Sequence, residues 1–365
     1  MRVCFRADAS VRIGSGHVMR CLTLAVEAHR RGGEAIFVCR ELPGNLCAYL
    51  EGMGVTVCRL PFDTEIPPPA WGQSSANARL DGTTELDAVM TAEIVTKYSP
   101  DWLVVDHYGL DRAWEGMLRK AVRRVMVIDD LADRPHDCDI LLDQNLRREP
   151  DKSYRDLVPA GCTLLVGPRY ALLRREFAAA RKTIGKRDGT VRRILVFFGS
   201  SDPSGETLKA IDALVRLDAG RPAVDVVVGM TNPAGELVRD ICAALPGFTF
   251  HRQVSRISRL MAGADLSLGA GGSATWERCS LGLPCVTLVV ADNQLEPTLA
   301  VAEAGGAVYA GQSGTVTSAD LARIVRETAA RPQLLAAMSR RAMEIMGGPE
   351  SPPGTEIVLD IMESR

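Results

Sequence analysis

Short runs of β-branched and other apolar residues alternate along the chain with longer stretches whose apolar side chains recur every three or four positions. The short runs are typical of strands buried on both faces, and the longer stretches are typical of amphipathic helices. Strands and helices that alternate in this way form parallel sheets covered by helices. The predicted strands are residues 2–7, 35–39, 55–60, 102–106, 125–129, 140–143 and 163–166 in the first half, and 193–198, 224–228, 248–251, 266–268, 286–289 and 307–309 in the second.

The two series of strands predict two doubly wound domains. The 365 residues of the chain exceed a single domain of ordinary size. A charged, glycine-containing segment over residues 181–190 separates the two series and is typical of an interdomain linker. The sequence therefore predicts an α/β protein with one Rossmann-like domain over 1–180 and a second over 191–350. We expect residues 351–365 to form a last helix that packs on the first domain.

The composition is that of a globular protein, with 46% hydrophobic and 24% charged residues. The net charge of −2 gives no electrostatic reason to expect nucleic acid or an acidic membrane surface as a partner. The ten cysteines include no Cys-x-x-Cys pair and the five histidines no paired motif, which argues against a disulfide framework and a metal site. Because no targeting or membrane-spanning stretch is evident, we expect a cytoplasmic protein without membrane insertion, metal or cofactor.

A glycine-rich hook follows the first predicted strand, where Gly14, Ser15 and Gly16 lead into His17 at the start of a predicted helix. Glycines let the backbone turn tightly and approach a ligand, and the N-terminus of a helix favours an anion. Histidine is the side chain whose ordinary pKa suits proton transfer near neutrality. The hook is therefore a candidate catalytic site, and the alternative is a glycine turn with a helix-capping histidine.

Polar and ring side chains also follow later strands of the first half. Asp106, His107 and Tyr108 come directly after the fourth predicted strand. Because ligands bind outside the carboxyl ends of strands in doubly wound sheets, we interpret this group as part of a site rather than as a helix cap formed by Asp106. Asp129 and Asp130 follow the next strand, where they either orient a catalytic histidine or cap a turn. The pattern does not decide between these two roles.

The second half contains a glycine loop of the kind that binds a diphosphate. A predicted strand runs into Gly271 and Gly272, and Ser273 and Thr275 then lie in the first turn of a helix. Their hydroxyls and the backbone amides suit a diphosphate, and Glu277, just beyond, suits the two hydroxyls of a ribose. The other candidates of this half are Asn293 and Gln294 after the next strand, and Ser200 in the loop after strand 193–198.

Two familiar phosphate-binding motifs do not fit the hook. A dinucleotide fingerprint needs a third glycine at the position of Met19. A P-loop needs Lys and then Ser or Thr after its last glycine, where this chain has His17 and Val18.

Three segments of the first half carry a resemblance to a known family. Residues 6–22 read RADASVRIGSGHVMRCL, residues 106–110 read DHYGL and residues 167–173 read GPRYALL. These segments resemble the PseG family, hydrolases that release UDP from UDP-2,4-diacetamido-2,4,6-trideoxy-β-L-altropyranose in pseudaminic acid biosynthesis. The series from the glycine loop to Gln294 is similar to that of MurG-like UDP-sugar glycosyltransferases.

The resemblance implies a GT-B-like fold, in which two doubly wound Rossmann-like domains face a central cleft. It also implies metal-independent attack of water at the anomeric carbon, with His17 as the catalytic residue and Tyr108 as a further active-site residue. Ser200 departs from the family pattern, since the loop reads Gly-Ser-Ser-Asp where Gly-Gly-Ser-Asp is expected. With Asp106 as a candidate to orient the histidine, the predicted catalytic residues are His17, Tyr108 and Asp106, and the predicted substrate or UDP contacts are Asp8, Gly14, Ser15, Gly16, Arg20, Ser200, Gly271, Gly272, Ser273, Thr275, Glu277, Asn293 and Gln294.

Three functions are compatible with these patterns: a UDP-sugar hydrolase, a UDP-sugar glycosyltransferase with a true acceptor, and a non-catalytic UDP-sugar-binding module. A lipid or other large acceptor needs an exposed apolar or basic patch in the first domain, and the sequence shows no obvious one. His17, Asp106 and Tyr108 at strand ends argue against the binding module. We therefore expect a hydrolase with a small-molecule UDP-sugar as its partner, acting as a monomer or weak oligomer.

Overall fold

The computed structural model describes residues 1–11, 13–62, 82–217, 222–348 and 350–365. These residues form two compact units, one made of Met1–Leu172 with Pro352–Arg365 and the other of Leu173–Ser351. Each unit is built on one parallel sheet with helices, so the predicted α/β class is confirmed. Within the described ranges, no helix is long and apolar enough to cross a membrane.

The first unit has a parallel sheet with the strand order β3-β2-β1-β4-β5-β6-β7. Its strands are rich in apolar residues because both faces of the sheet are covered. Phe5 packs on one face with the first helix, and Cys4 packs on the other face against Leu103 and Val105. The elements are β1 (Arg2–Ala7), α1 (Gly16–Arg30), β2 (Glu34–Arg40), α2 (Cys47–Gly52), β3 (Thr56–Leu60), α3 (Gly82–Tyr98), β4 (Trp102–Asp106), α4 (Arg112–Leu118), β5 (Val125–Ile128), β6 (Ile140–Asp143), α5 (Pro150–Ser153) and β7 (Thr163–Val166).

The second unit has a parallel sheet with the strand order β10-β9-β8-β11-β12-β13. Its core is formed by aliphatic residues of the central strands, such as Ile194, Val226, Leu268 and Leu288. The elements are α6 (Arg175–Thr183), β8 (Arg193–Phe197), α7 (Glu206–Val215), β9 (Ala223–Val228), α8 (Gly235–Ala244), β10 (Phe248–Arg252), α9 (Ile257–Gly263), β11 (Leu266–Ala270), α10 (Ala274–Ser280), β12 (Cys285–Val289), α11 (Leu295–Glu303), β13 (Val308–Gln312), α12 (Ser318–Ala329) and α13 (Pro332–Ile345).

The two sheets share one topology, in which the strand order reverses beside the first strand. In the first unit the reversal lies between β1 and β4, and in the second between β8 and β11. Loops at the carboxyl ends of such strand pairs are where doubly wound sheets bind ligands. Every predicted strand occurs in the structure within three residues of its expected ends. The predicted site residues that follow β1, β4, β8 and β11 therefore lie at the reversal points.

The predicted linker over residues 181–190 does not separate the two units. The units divide between Leu172 and Leu173, and α6 packs on α9 and α10 of the second unit. Phe177 is buried there, and the Arg187 guanidinium donates to the backbone oxygens of Met261 and Ala264. The polar composition of this segment predicts a solvent-exposed linker. In the structure its arginines instead donate hydrogen bonds to backbone carbonyl groups.

The last helix, α14 (Gly354–Glu363), packs within the first unit against α1. Val358, Leu359 and Met362 are buried in the core beside β1. The indole of Trp102 on β4 donates to the backbone oxygen of Met362 at 3.2 Å. The C-terminal residues therefore complete the core of the unit that contains the N-terminus.

Truncating Leu359 should measure the contribution of α14 to this core. Leu359 is fully buried, so we expect Leu359→Ala to lower the free energy of unfolding by about 2–5 kcal/mol. Leu334→Ala is the matched control, because that leucine is 41% exposed and its loss should cost about 0.5 kcal/mol or less. Urea unfolding followed by circular dichroism gives both values. Equal losses would contradict the packing of α14 in the core.

Candidate active site

The hook between β1 and α1 is fixed by a short backbone bridge. Ser10 and Gly14 exchange backbone hydrogen bonds of 3.3 and 2.9 Å. Gly14 has a φ of +75°, which residues with a Cβ rarely adopt, so the turn itself requires glycine here. A Cβ added to Gly16 would meet no atom within 4 Å, so the start of α1 borders open space. The hook therefore presents the positive end of α1 to a space that a ligand can enter.

His17 lies in the first turn of α1 and is buried, with 6% of its surface exposed. Its Nε2 lies 3.8 Å from Oδ1 of Asp106. Its ring meets the Tyr108 ring at 88°, with the ring centroids 4.5 Å apart. Burial lowers the pKa of His17, while the charge of Asp106 opposes this shift. The imidazole is therefore neutral at neutral pH, which is the form that accepts a proton.

Asp106 at the end of β4 is held by Arg20, one turn after His17 on α1. The Arg20 Nε and Nη2 groups each donate to one oxygen of Asp106, both at 2.6 Å. Burial alone would raise the pKa of Asp106, but the charges of Arg20 and His17 and the hydrogen bonds from Arg20 hold this pKa below its ordinary value. In this structure the Arg20 guanidinium is bound to two carboxylates, because α1 turns Arg20 toward the end of β4, and its contact with substrate remains a prediction.

Asp130 is a second carboxylate of this group that the sequence prediction leaves undecided. Arg20 Nη1 donates to its two oxygens at 3.0 and 2.8 Å, and the Tyr108 hydroxyl donates to Oδ2 at 2.9 Å. Asp129 points elsewhere, since it accepts from the Tyr154 hydroxyl at 3.1 Å. The sequence signal for this pair of acids is their place after β5, the strand next to β4 in the sheet, and that signal does not distinguish Asp130 from Asp129.

Asp8 and His107 belong to a different, fully buried network. Arg6 donates to both oxygens of Asp8 at 2.7 and 2.9 Å, and the Arg40 backbone N–H donates to Oδ1 at 2.7 Å. His107 Nε2 lies 3.3 Å from Oδ2 of Asp8, and its Nδ1 accepts from the backbone of Gly109. Asp8 is 1% exposed. The side chain points into the unit and is held there by internal bonds, and its contact with substrate remains a prediction.

In the second unit, the glycine loop between β11 and α10 packs against the start of α11. A Cβ on Gly271 would lie 2.1 Å from Thr298 Oγ1, and one on Gly272 would lie 3.6 Å from Gln294 Nε2. Gln294 Oε1 accepts from the backbone of Val290 at 3.2 Å. The structure therefore brings Gly271, Gly272 and Gln294 together, as expected for strands β11 and β12 that are neighbours.

The other predicted residues of the second unit differ in their accessibility. Ser273 is exposed and makes no capping hydrogen bond to α10, and Asn293 is also exposed. Ser200 is partly buried in the loop after β8. Thr275 is buried and its hydroxyl accepts from Arg278 Nη2 at 3.0 Å, and its contact with a diphosphate remains a prediction.

Glu277 is partly buried in the second unit and is paired with Arg174. Arg174 Nη2 donates to Glu277 Oε1 at 3.0 Å. Burial raises the pKa of Glu277, and the charge of Arg174 opposes this shift. A ribose at this position would therefore meet a carboxylate that already has one cationic partner.

The close approach at Gly271 gives a test of this loop that needs no ligand. We expect Gly271→Ala to lower the free energy of unfolding by about 1–3 kcal/mol, because its methyl group overlaps Thr298 Oγ1. The same change in a Thr298→Ala background should cost less, since the hydroxyl is gone. Gly263→Ala is the control without a clash, because a Cβ there meets no atom within 4 Å. Equal losses in both backgrounds would contradict the contact.

The side chains around His17 form a proton-accepting site. Arg20 balances the charge of only one of the two carboxylates that it binds, Asp106 and Asp130, and burial lowers the pKa of His17, so the imidazole is the neutral base of the group. In the described part of the chain, no cluster of three or more His, Cys, Asp or Glu side chains has a metal-binding arrangement. The arrangement is thus suited to removing a proton from a small nucleophile at the N-terminal end of α1.

Comparison with known proteins gives partial matches of the sequence. The chain is 31% identical over 178 residues to the UDP-2,4-diacetamido-2,4,6-trideoxy-β-L-altropyranose hydrolase of Campylobacter jejuni, covering 48% of this chain and 53% of that protein. It is 30% identical over 159 residues to the spore coat polysaccharide biosynthesis protein SpsG of Bacillus subtilis, covering 43% and 46%. The chain thus spans about half the length of these curated relatives. No protein-family model matches the chain.

Solved structures match over the whole chain at low sequence identity. MurG of Acinetobacter baumannii has a TM-score of 0.63 and 15% identity, covering 100% of this chain and 99% of that chain. Arabidopsis thaliana UGT89C1 complexed with UDP-L-rhamnose has a TM-score of 0.64 and 15% identity, covering 99% and 98%. A putative UDP-N-acetylglucosamine 2-epimerase of Listeria monocytogenes has a TM-score of 0.59 and 14% identity, covering 100% and 96%. With its two doubly wound parallel sheets in tandem, the chain has the fold of the GT-B glycosyltransferases.

Proposed function

We propose that this protein is a hydrolase that releases UDP from UDP-2,4-diacetamido-2,4,6-trideoxy-β-L-altropyranose by attack of water at the anomeric carbon. The observation that carries the proposal is the buried His17, whose pKa is lowered, beside the Arg20–Asp106 ion pair. Two findings support it: the 31% identity to the Campylobacter jejuni hydrolase named for this compound, and a fold shared with a glycosyltransferase solved with UDP-L-rhamnose.

In the proposed step, a water oxygen bonds to the anomeric carbon while the bond from that carbon to the β-phosphate oxygen breaks. The electron pair of the broken bond leaves with UDP. His17 takes one proton from the water, whose oxygen becomes the anomeric hydroxyl of the free sugar. The ion pair with Arg20 limits the charge that Asp106 presents to His17, so the base stays neutral until it accepts this proton.

The second unit supplies the proposed contacts for UDP. The exposed Ser273 and the backbone of Gly271 and Gly272 are proposed to bind the diphosphate, where N–H groups and a hydroxyl oppose its charge. Glu277 is proposed to accept hydrogen bonds from the ribose hydroxyls. Gly14, Ser15 and Gly16 of the hook, together with Ser200, Asn293 and Gln294 of the second unit, are proposed as further contacts to the UDP-sugar.

The direct test measures UDP released from the purified sugar nucleotide by the full-length protein, with and without EDTA, using UDP-N-acetylglucosamine as a second substrate. We expect release from the diacetamido sugar without any added acceptor and in the presence of EDTA. UDP that appears only after a hydroxyl-bearing acceptor is added would contradict hydrolysis and indicate transfer. A thermal shift with UDP, without release from any UDP-sugar, would indicate a binding module.

The pH dependence should report the lowered pKa of His17. The base acts in its neutral form, so kcat/KM should fall only as the pH drops through a pKa below the ordinary histidine value of about 6.5. At pH 6.5, where an ordinary histidine is half protonated, activity should therefore stay above half of its value at pH 8. A profile of log kcat/KM against pH measures this acid limb. An acid limb centred above the ordinary value would contradict a desolvated histidine as the base.

A further inference from the structure

Asp130 is a carboxylate outside the predicted catalytic set, yet it contacts two members of the group around His17. Its side chain is 13% exposed. It accepts from Arg20 Nη1 at 3.0 and 2.8 Å and from the Tyr108 hydroxyl at 2.9 Å. One carboxylate therefore joins a side chain from α1 to one from the loop after β4.

Residues that follow β6 hold Asp130 from the other side. Asn145 Nδ2 donates to Asp130 Oδ1 at 3.2 Å, and Arg147 Nη2 donates to the Asp130 backbone oxygen at 2.7 Å. Arg147 is in turn bound to Asp143 at 2.6 Å. Because its backbone and its side chain are both held, Asp130 is a fixed anchor and not a mobile surface acid.

Tyr108 uses its hydroxyl and its ring for different contacts. Burial raises the pKa of Tyr108 well above its ordinary value, so the phenol stays protonated and its hydrogen is directed at Asp130. Its ring meets the His17 ring at 88°, with centroids 4.5 Å apart. The hydroxyl contact with Asp130 thus fixes the ring that packs on the imidazole.

We propose that Asp130 is a positioning residue of this site, which anchors Tyr108 and Arg20 so that the His17 imidazole is held between the Tyr108 ring and Asp106. The proposal rests on the proposed hydrolysis for its effect on rate. Its effect on His17 itself does not depend on the reaction. Tyr108 is then also a positioning residue, whose ring orients the base and whose proton stays on its own oxygen.

Removing the charge of Asp130 should change the titration of His17 in a known direction. The charges of Asp106 and Asp130 raise the pKa of His17, and those of Arg20 and His107 lower it. Loss of the Asp130 charge removes one of the contributions that raise this pKa, which favours the neutral imidazole, so His17 should titrate at a lower pH. The groups whose charges act on the pKa of His17 are Asp106, Asp130, Arg20 and His107, and the neutral Tyr108 ring packs on the imidazole.

The experiment compares wild type, Asp130→Asn and Tyr108→Phe by NMR titration of the His17 ring in the full-length protein without nucleotide, and by kcat and KM for UDP release. Asp130→Asn should lower the pH at which His17 titrates and reduce kcat about 10- to 100-fold with a smaller change in KM. Asp360→Asn is the control, since that aspartate also pairs with an arginine but is 68% exposed.

The outcomes separate this inference from the proposed function. If the wild type releases no UDP, the proposed function fails, and a shifted His17 titration in Asp130→Asn still supports the anchor. A folded Asp130→Asn protein with an unchanged His17 titration and unchanged kcat overturns the inference. If Asp130→Asn does not fold, Tyr108→Phe tests the inference, because that variant keeps the Arg20–Asp130 pair. A Tyr108→Phe protein with the wild-type kcat overturns the inference, and one with a reduced kcat supports it.

Discussion

Replacing His17 by alanine should lower the rate of UDP release by about 10²- to 10⁴-fold, the usual contribution of a positioned general base. His17 is the neutral imidazole at the start of α1, between Asp106 and Tyr108. Those two neighbours cannot replace it, because Asp106 is bound to Arg20 and the Tyr108 proton is directed at Asp130. The fall should appear in kcat, since alanine removes a proton acceptor and no proposed contact to UDP. A coupled assay for UDP at pH 7 measures it.

His29→Ala is the matched control for this variant, since His29 lies in the last turn of the same helix and is exposed. It should keep the wild-type rate. A thermal melt of both variants checks that the first unit remains folded. A folded His17→Ala protein with the wild-type rate would contradict the proposal and place the base elsewhere.

The parts of the fold that the sequence predicts are those set by local patterns. Continuous apolar runs mark strands buried on both faces, and their order along the chain, strand then helix, restricts the sheet to a parallel arrangement. Ala7 at the end of β1 is paired with Asp106 at the end of β4. This pairing explains why a hook after one strand and an acid after another, nearly a hundred residues later, are brought together as expected.

The parts that the sequence leaves open are the directions of individual side chains. Asp8 and Arg20 lie in the expected segment, but Asp8 points into the unit and Arg20 points at Asp106. Successive side chains of a strand point to opposite faces of the sheet. At the end of a strand, two neighbouring residues can therefore differ in role, one belonging to the site and the next to the core, and the sequence does not show which is which. The choice between Asp129 and Asp130 is open for the same reason. Thr275 is turned inward by Arg278, a partner one helical turn away.

The network around Arg6 shows the limit of a sequence-based interpretation most clearly. Arg6 is fully buried in the middle of the first sheet and donates to Asp8 and to Asp87, with Asp87 contributed by α3. Arg40 and Trp114 also donate to Asp87, at 2.6 and 3.1 Å. Nothing in the local pattern of the sequence marks Asp87 as buried. Its two ion-pair partners, Arg6 and Arg40, lie more than forty residues away along the chain.

Arg6→Met should therefore destabilise the first unit far more than the loss of a surface ion pair. The variant leaves Asp8 and Asp87 buried with fewer cationic partners, and breaking a buried pair in this way costs about 3–5 kcal/mol. Arg59→Met is the matched control, because Arg59 also binds two carboxylates but is 39% exposed, and its loss should cost about 1 kcal/mol or less. Urea unfolding at pH 7 compares the two losses.

The loss of unfolding free energy caused by Arg6→Met should become smaller as the pH is lowered. Burial alone would raise the pKa of Asp87, but Arg6 and Arg40 hold it at about 2 in the folded protein, below the ordinary value. The wild type thus gains stability from ionised Asp87 above the ordinary aspartate pKa of about 4, and loses it as the pH falls from there toward 2.

Without Arg6, the folded protein takes up protons on Asp87 and Asp8 at higher pH, which relieves the buried charge. The difference in unfolding free energy between wild type and Arg6→Met should therefore narrow between pH 7 and about pH 4. A difference that stayed constant, or that matched Arg59→Met, would show that the network contributes through packing and not through its charges.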